Sequence, residues 1–432
     1  MRISVMGRSA SGRRPSPSVH LAIVGALGAL IAGMLLTRPE LIAVGLPLAL
    51  WSVHALASPG REAVDADIER VDDAAEGRLH DDIVIRSDSE LVEVAVTQAE
   101  RTRRRVFVAG TARLRSRVRP LHSGPITSVE VAVRGLDADA GSLSAPQPPI
   151  AAARTVQPVM RRLPRMPLAP RLTGLHGAHE GSRPGQGGDF RGIHPFVPGD
   201  ELRRVDWKAT ARAARRPGEL LVRRTNSLSD ASAVIVMDTA DDLGAVVATW
   251  GRSDTTRSGV TSLDHARSAA RSLAAATIEQ GDRVAFHTLA LGGRSVRSGG
   301  GRRHLARVVA EISATGRAGD DARLRRTPPV PHGSIIYVLS TLFDGAAAEI
   351  AMRWRASGHR VVAVDTLPDL DRNRLTPERA LALDVLLAER QDMLHQLREA
   401  AVETVRWSSE IDDALTALTR AGSMIAPSGA RR

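Results

Sequence analysis

The sequence predicts an α/β protein: a doubly wound, mostly parallel sheet in its C-terminal half, preceded by a small antiparallel β-domain and an N-terminal transmembrane helical hairpin. In the C-terminal half, apolar runs of strand length alternate with stretches of helical spacing, the pattern of a sheet whose crossovers are helices. In the middle, period-two alternation recurs between short polar turns. Near the N-terminus, Val19 to Thr37 carries no formal charge. At about 1.5 Å per residue that stretch spans about 28 Å, close to the hydrocarbon core of a bilayer.

A second apolar run, Leu41 to Ala57, follows after Arg38-Pro39-Glu40, which leaves room only for a tight connection, so residues 19–58 read as a transmembrane hairpin. Arg2, Arg8, Arg13 and Arg14 lie in the basic tail (1–18) and Arg61 follows the second span, so the positive-inside rule puts both ends, and the main domains, in the cytoplasm. No small-x-small site follows the first span, which argues against a cleaved signal. Residues 59–82 are rich in Asp and Glu and read as a solvated juxtamembrane helix or linker. The β-domain is expected over 83–140, with strands at Ile83-Val84-Ile85, Leu91–Val96, Arg105–Ala109, Arg113–Val118 and Val129–Val133, separated by turns such as His122-Ser123-Gly124-Pro125. Residues 141–186 are rich in proline and glycine and read as a linker, in which Arg161, Arg162 and Arg165 are solvated. Strands are then expected at Ala233–Met237, Arg283–Leu289, Ile335–Leu339, Val361–Val364 and Val405–Trp407. Helices are expected at Leu263–Glu279, His304–Ile312, Ala346–Arg355, within Pro377–Val402, and at Ile411–Ala421.

With 432 residues, 43% of them apolar, the chain has room for two or three domains with real cores. It has no cysteine, which excludes disulfides, thiol catalysis and Cys-ligated zinc. Basic residues outnumber acidic ones by 59 to 48, and all but Lys208 are arginine, a bias that points to genomic base composition. Aromatics are only 3% of residues and no stacking platform or helix-turn-helix pattern accompanies the arginines, so no nucleic acid is expected as a partner.

The densest chemistry lies in Pro198-Gly199-Asp200-Glu201-Leu202-Arg203-Arg204-Val205-Asp206-Trp207-Lys208-Ala209-Thr210-Ala211-Arg212. Pro-Gly-Asp sets a turn. Arg203 and Arg212 are expected to reach Asp200 and Asp206 as planar donors facing planar acceptors. Asp200, Arg203, Asp206, Trp207, Lys208 and Arg212 are the candidate partner-binding residues, with a structural clamp as the other role for the same run. It holds no Ser/His/Asp set, Cys nucleophile or phosphate loop, and no catalytic residues are expected.

Together with Gly187-Gly188-Asp189-Phe190-Arg191-Gly192 and Pro195-Phe196-Val197, this run resembles the signature of the bacterial "domain of unknown function 58" family, and the likeness extends to about Met424. Asp189 stands where that family usually has Glu, His194 where it has Arg, Phe196 where it has Tyr and Thr210 where it has Ser. The resemblance implies a signature region over 187–231, a von Willebrand factor A-like domain over 232–424 and a short tail over 425–432. It also implies association with MoxR-type AAA+ ATPases and with transglutaminase-like membrane proteins.

Von Willebrand A-like domains often carry a metal-ion-dependent adhesion site of carboxylates and hydroxyls, an oxygen set suited to Mg²⁺. Here Asp238-Thr239-Ala240-Asp241-Asp242 keeps the first Asp, loses a hydroxyl at Ala240 and has Asp242 in place of the last one. Thr261 or Ser262 would supply the second-loop hydroxyl, and Asp344 is displaced by several residues from its expected place. The set Asp238, Asp242, Thr261 and Asp344 therefore reads as degenerate. A metal-free loop is expected, no cofactor is implied, and Mg²⁺ is the ion such a set would take. Asp365, at a strand end, and the pair His176 and His179 are weaker candidates.

These readings describe a membrane-anchored cytoplasmic interaction protein without catalytic activity, an adaptor or client-recognition partner of a MoxR-type AAA+ ATPase that also meets lipid bilayer and other membrane proteins. The alternatives are a divalent-metal-dependent envelope hydrolase or transferase using Asp238 and Asp241, and a structural scaffold without an ATPase partner.

Overall fold

The computed structural model describes residues 13–57, 64–71, 78–99, 103–136, 141–144, 147–163, 166–167, 169, 179–251, 255–318 and 327–425. They belong to two compact units, Met1–Leu121 with Pro125–Arg154, and His122–Gly124 with Thr155–Arg432.

In the first unit β1 (Arg13–Pro15) precedes α1 (Pro17–Leu35) and α2 (Pro39–Ala57). Ser16 caps α1 by accepting the Ser18 N–H, and Pro17 occupies its first turn, where no N–H is needed. The helices meet through small residues: a Cβ on Gly45 would stand 3.1 Å from the Ala26 carbonyl oxygen, and one on Gly33 2.6 Å from Ile42 Cγ1. Leu21, Val24, Leu27, Leu50 and Val53 face outward, exposed. Both helices are long and apolar enough to cross a membrane.

Eight further strands follow: β2 (Val64–Val71), β3 (Leu79–Ser87), β4 (Leu91–Gln98), β5 (Arg104–Ala109), β6 (Ala112–Val118), β7 (Gly124–Leu136), β8 (Ser142–Ser144) and β9 (Ile150–Val156). They form a sheet of order β2-β3-β6 and another of order β1-β8-β7-β4-β5, with β9 on β7. One core takes Val64, Ile68, Ile83 and Ile85 from the first and Val92, Val94, Val131 and Val133 from the second.

The expected acidic linker is corrected here, because Val64–Val71 is a strand. Val64, Ala66 and Ile68 alternate inward, while Asp65, Asp67 and Glu69 lie between them on the less buried side. Buried Asp82 in β3 meets Arg113 at 2.9 Å and Arg115 at 3.0 Å, and Asp81 meets Arg154 at 2.7 Å and the Ser128 hydroxyl at 2.6 Å. The Arg115 hydrogen bond, with Arg113 beside it, holds the Asp82 carboxyl below its ordinary range. Period-two alternation prevailed over acidic composition because basic partners came from strands distant in sequence.

In the second unit β10 (His179–Pro195) and β11 (Leu221–Ser229) form an irregular antiparallel pair, with α3 (Trp207–Ala213) between them in sequence. The sheet that follows contains β12 (Ser232–Met237), β13 (Arg283–Thr288), β14 (Ser295–Gly299), β15 (Ile335–Ser340), β16 (Arg360–Asp365) and β17 (Glu403–Arg406), in the order β14-β13-β12-β15-β16-β17. All neighbours run parallel except the edge strand β14. The helices are α4 (Ser262–Glu279), α5 (Arg302–Ser313), α6 (Ala346–Ala356), α7 (Pro377–Glu399) and α8 (Ile411–Ile425).

Strand alternation sorts the core. Ala233, Ile235 and Met237 face α4, α5 and α8, while Val234 and Val236 face α6 and α7. The alanines of α4, Ala266, Ala269, Ala270 and Ala274 among them, are fully buried and let the helix approach the sheet closely. Part of the expected linker also belongs here. Leu163, Met166 and Ala169 pack into the first of these clusters, the Arg161 N–H donates to Ser272 Oγ at 2.9 Å, and its guanidinium donates to the Ser408 carbonyl at 2.5 Å. Proline removes backbone donors without preventing the side chains between prolines from being buried.

Candidate functional site

The chain leaves β12 for β13 on one side and later returns to β15 on the other, so the carboxyl ends of β12 and β15 flank the point where strand order reverses, where open α/β sheets place ligands. Asp238, Asp241, Ser262, Leu263, Thr341 and Thr366 line a shallow pocket there. Asp238 Oδ2 accepts from the Ser340 hydroxyl at 2.7 Å and Oδ1 from the Ala240 N–H at 3.1 Å. Burial pushes its carboxyl above the ordinary range, and the nearby charges of Asp344 and Asp241 add to that.

The other predicted ligands are engaged at helix starts. Thr261 is the N-cap of α4 in a reciprocal capping box with Asp264. Asp242 accepts the Leu263 N–H at 3.3 Å, Ser262 Oγ the Leu243 N–H at 2.9 Å, and Asp344 the Ala346 N–H at 3.2 Å. Asp365 accepts the Leu367 N–H at 3.0 Å and pairs with Arg390. Asp238, Asp242, Thr261 and Asp344 thus each accept from a backbone N–H or a hydroxyl. Among the described residues no group of three or more His, Asp or Glu is placed to hold a metal. His176 lies outside the described residues.

Two features of this unit were not anticipated. Arg390 reaches from α7 to the carboxyl end of the sheet: its Nε donates to the Thr341 carbonyl at 2.6 Å and its Nη2 lies 2.5 Å from Asp365 Oδ1. The spacing Leu383, Arg390, Leu394, Leu397 already places Arg390 on the buried stripe of α7, a signal available in the sequence. The segment His122–Gly124 is no free turn either. His122 Nδ1 and the Ser123 N–H and hydroxyl all bond the Asp264 carboxylate at 2.7–2.8 Å, and Arg267 donates to the Ser123 carbonyl at 2.9 Å. Burial alone would raise the Asp264 carboxyl, but the bonds from His122 and Ser123 outweigh it and hold it below its ordinary value.

The signature segment is built differently. Gly199 adopts φ +103° in the Pro198-Gly199 turn, a conformation that favours glycine, and Asp200 closes the turn by accepting the Val197 N–H at 3.0 Å. A single 3₁₀ turn, Leu202–Arg204, follows, and Asp206 then caps α3 by accepting the Ala209 N–H at 2.9 Å. Two bonds to β11 mount α3: the Asp206 N–H donates to the Leu221 carbonyl at 2.8 Å, and the Leu221 N–H donates to Thr210 Oγ1 at 3.0 Å. The expected pairing is corrected: Arg203 pairs with Glu201 at 2.7 Å, and Asp206 is turned to the backbone of α3. The nearer carboxylate and the unfilled N-terminal donors of the helix prevailed over longer-range pairing. Trp207 and Leu202 are each 65% exposed, and Lys208 and Arg212 point outward beside Trp207.

The described structure is that of a mixed α/β protein with antiparallel sheets and two N-terminal apolar helices. Residues 193–379, from the end of β10 to the start of α7, match the family described as "Protein of unknown function DUF58". No curated protein and no solved structure matches the chain.

Proposed function

We propose that this protein is a membrane-anchored interaction protein whose α/β unit resembles a von Willebrand A domain and serves as an adaptor or client-recognition partner of a MoxR-type AAA+ ATPase, without catalytic activity of its own. The α1–α2 hairpin is its anchor, and the arginines flanking the two helices favour a cytoplasmic location for both ends. One observation carries the docking role. Within the family-matching segment, Trp207, Lys208 and Arg212 project from a helix fastened to β11 by two hydrogen bonds, with Arg203 and Leu202 exposed nearby. An exposed Trp on a rigid mount beside cations has the composition of an interface hot spot. Asp200 and Asp206 build this surface, and the basic residues with Trp207 make the contact.

The test is affinity capture of the full-length protein from its own membrane, comparing wild type with Trp207→Ala and Lys208→Glu. An AAA+ ATPase is expected with the wild type and lost with both variants, while both stay folded and membrane-bound. Equal recovery of the ATPase by all three would refute docking through α3, and its absence from the wild type would refute the adaptor role.

A further inference from the structure

We propose that the outward face of α3 and the loop after it lie against anionic phospholipid headgroups. This rests on the membrane-anchored reading above and assigns anionic lipid as the occupant of this face.

The inference starts from how charge is distributed between residues 200 and 219. Each of the four acids there is engaged. Asp200 accepts the Val197 N–H at 3.0 Å, and Glu201 takes Arg203 at 2.7 Å and Arg204 at 3.3 Å. Asp206 caps α3 at 2.9 Å, and Glu219 takes the backbone N–H groups of Arg215 at 2.6 Å and Arg216 at 3.1 Å. Three of the four acids accept from backbone, so they order the segment. Lys208, Arg212, Arg215 and Arg216 are all exposed and have no ion pair among the described residues. Lys208 and Arg212 are four apart on α3 and share a face, next to exposed Trp207.

Adjacent unpaired like charges repel one another, and that repulsion is relieved by a surface with many negative groups. Trp with flanking Lys and Arg is the side-chain set that settles at headgroup level, the ring at the polar boundary and the cations on phosphate. The same chain carries two membrane-length helices, so headgroups are present at high effective concentration before any partner arrives. A nucleic acid offers phosphate too, but this face has a single aromatic ring and no platform on which bases could stack.

Full-length protein in nanodiscs of phosphatidylcholine alone, or of phosphatidylcholine with phosphatidylglycerol, supplies the test by amide hydrogen exchange. Residues 202–216 should exchange several-fold more slowly in the discs containing phosphatidylglycerol. Raised salt should remove that difference, as should Lys208→Glu with Arg212→Glu, and Lys208→Gln with Arg212→Gln should narrow it. Equal exchange in both discs overturns the proposal and leaves the anchor standing. Slow exchange that ignores lipid and requires an added protein overturns it in favour of protein docking alone. Failure of the wild type to enter either disc removes the anchor, and this proposal with it.

Discussion

The carboxyl edge of the parallel sheet and the signature segment are both dense in charged and hydroxyl side chains, yet they use them in opposite ways. At the sheet edge Asp238, Asp242, Thr261, Asp344 and Asp365 each accept from a backbone N–H or a neighbouring hydroxyl, and buried Arg390 donates to the Thr341 carbonyl and forms an ion pair with Asp365. In the signature Asp200, Asp206 and Thr210 are engaged in this way, and the helix they order displays Trp207, Lys208 and Arg212 to solvent. A count of polar residues makes both look like sites. What separates them is which charged groups are turned to the protein backbone and which are displayed to solvent.

The strongest way to break this comparison is at Arg390. Arg390→Ala takes the cation from the half-buried Asp365 carboxylate and the side-chain donor from the carbonyl of buried Thr341, and a loss of about 3 kcal/mol is expected in chemical denaturation. Ser340→Ala removes one of the two bonds to Asp238 and should cost about 1–2 kcal/mol by the same measurement.

The pH dependence sharpens the contrast within the α/β unit. Asp264 has a folded-state pKa below its unfolded value, so its stabilisation is fully present above the unfolded pKa, about 4, and is lost as pH falls through the folded pKa. Asp238 is raised, so its effect has the opposite sign: stability is retained below the unfolded pKa and declines as pH rises through the folded one. Melting temperature against pH should therefore lose part of its acid limb in Asp264→Asn and part of its decline at higher pH in Asp238→Asn.

Smaller effects belong to the signature. Asp206→Ala should cost about 1 kcal/mol through the lost cap, and hydrogen exchange should report it as fraying confined to α3. Trp207→Ala should change stability by less than about 0.5 kcal/mol while abolishing partner capture. A fall in melting temperature at Trp207 as large as that at Arg390 would erase the distinction and make the signature a clamp.

Much of this architecture was legible before the structure. The apolar helices are local facts of length and charge, and the strands and helices that were expected in the α/β unit lie within a few residues of their places, whereas the edge strand β14 was not expected, because a period of 2 or 3.6 is written in consecutive residues only where the element is long or buried. The turn at Pro198-Gly199-Asp200 was legible for the same reason. Less legible were Val64–Val71, whose acids suggested solvent, and the segment through Leu163 and Met166, whose prolines suggested a linker. In both, a few apolar side chains at the right spacing outweighed the composition around them once a distant surface was there to receive them.

Sequence alone therefore determined the periodic elements, the pair of apolar helices and the place of the signature, since each depends on residues a few positions apart. Tertiary structure alone decided which charges remain available. Asp81 became a buried partner of Arg154, Arg390 a buried bond to Thr341, and His122 a ligand of Asp264 across 142 residues of chain. Hydrogen bonding is decided by distance and angle in the folded molecule, where a buried donor or acceptor must find its partner wherever the chain has brought one.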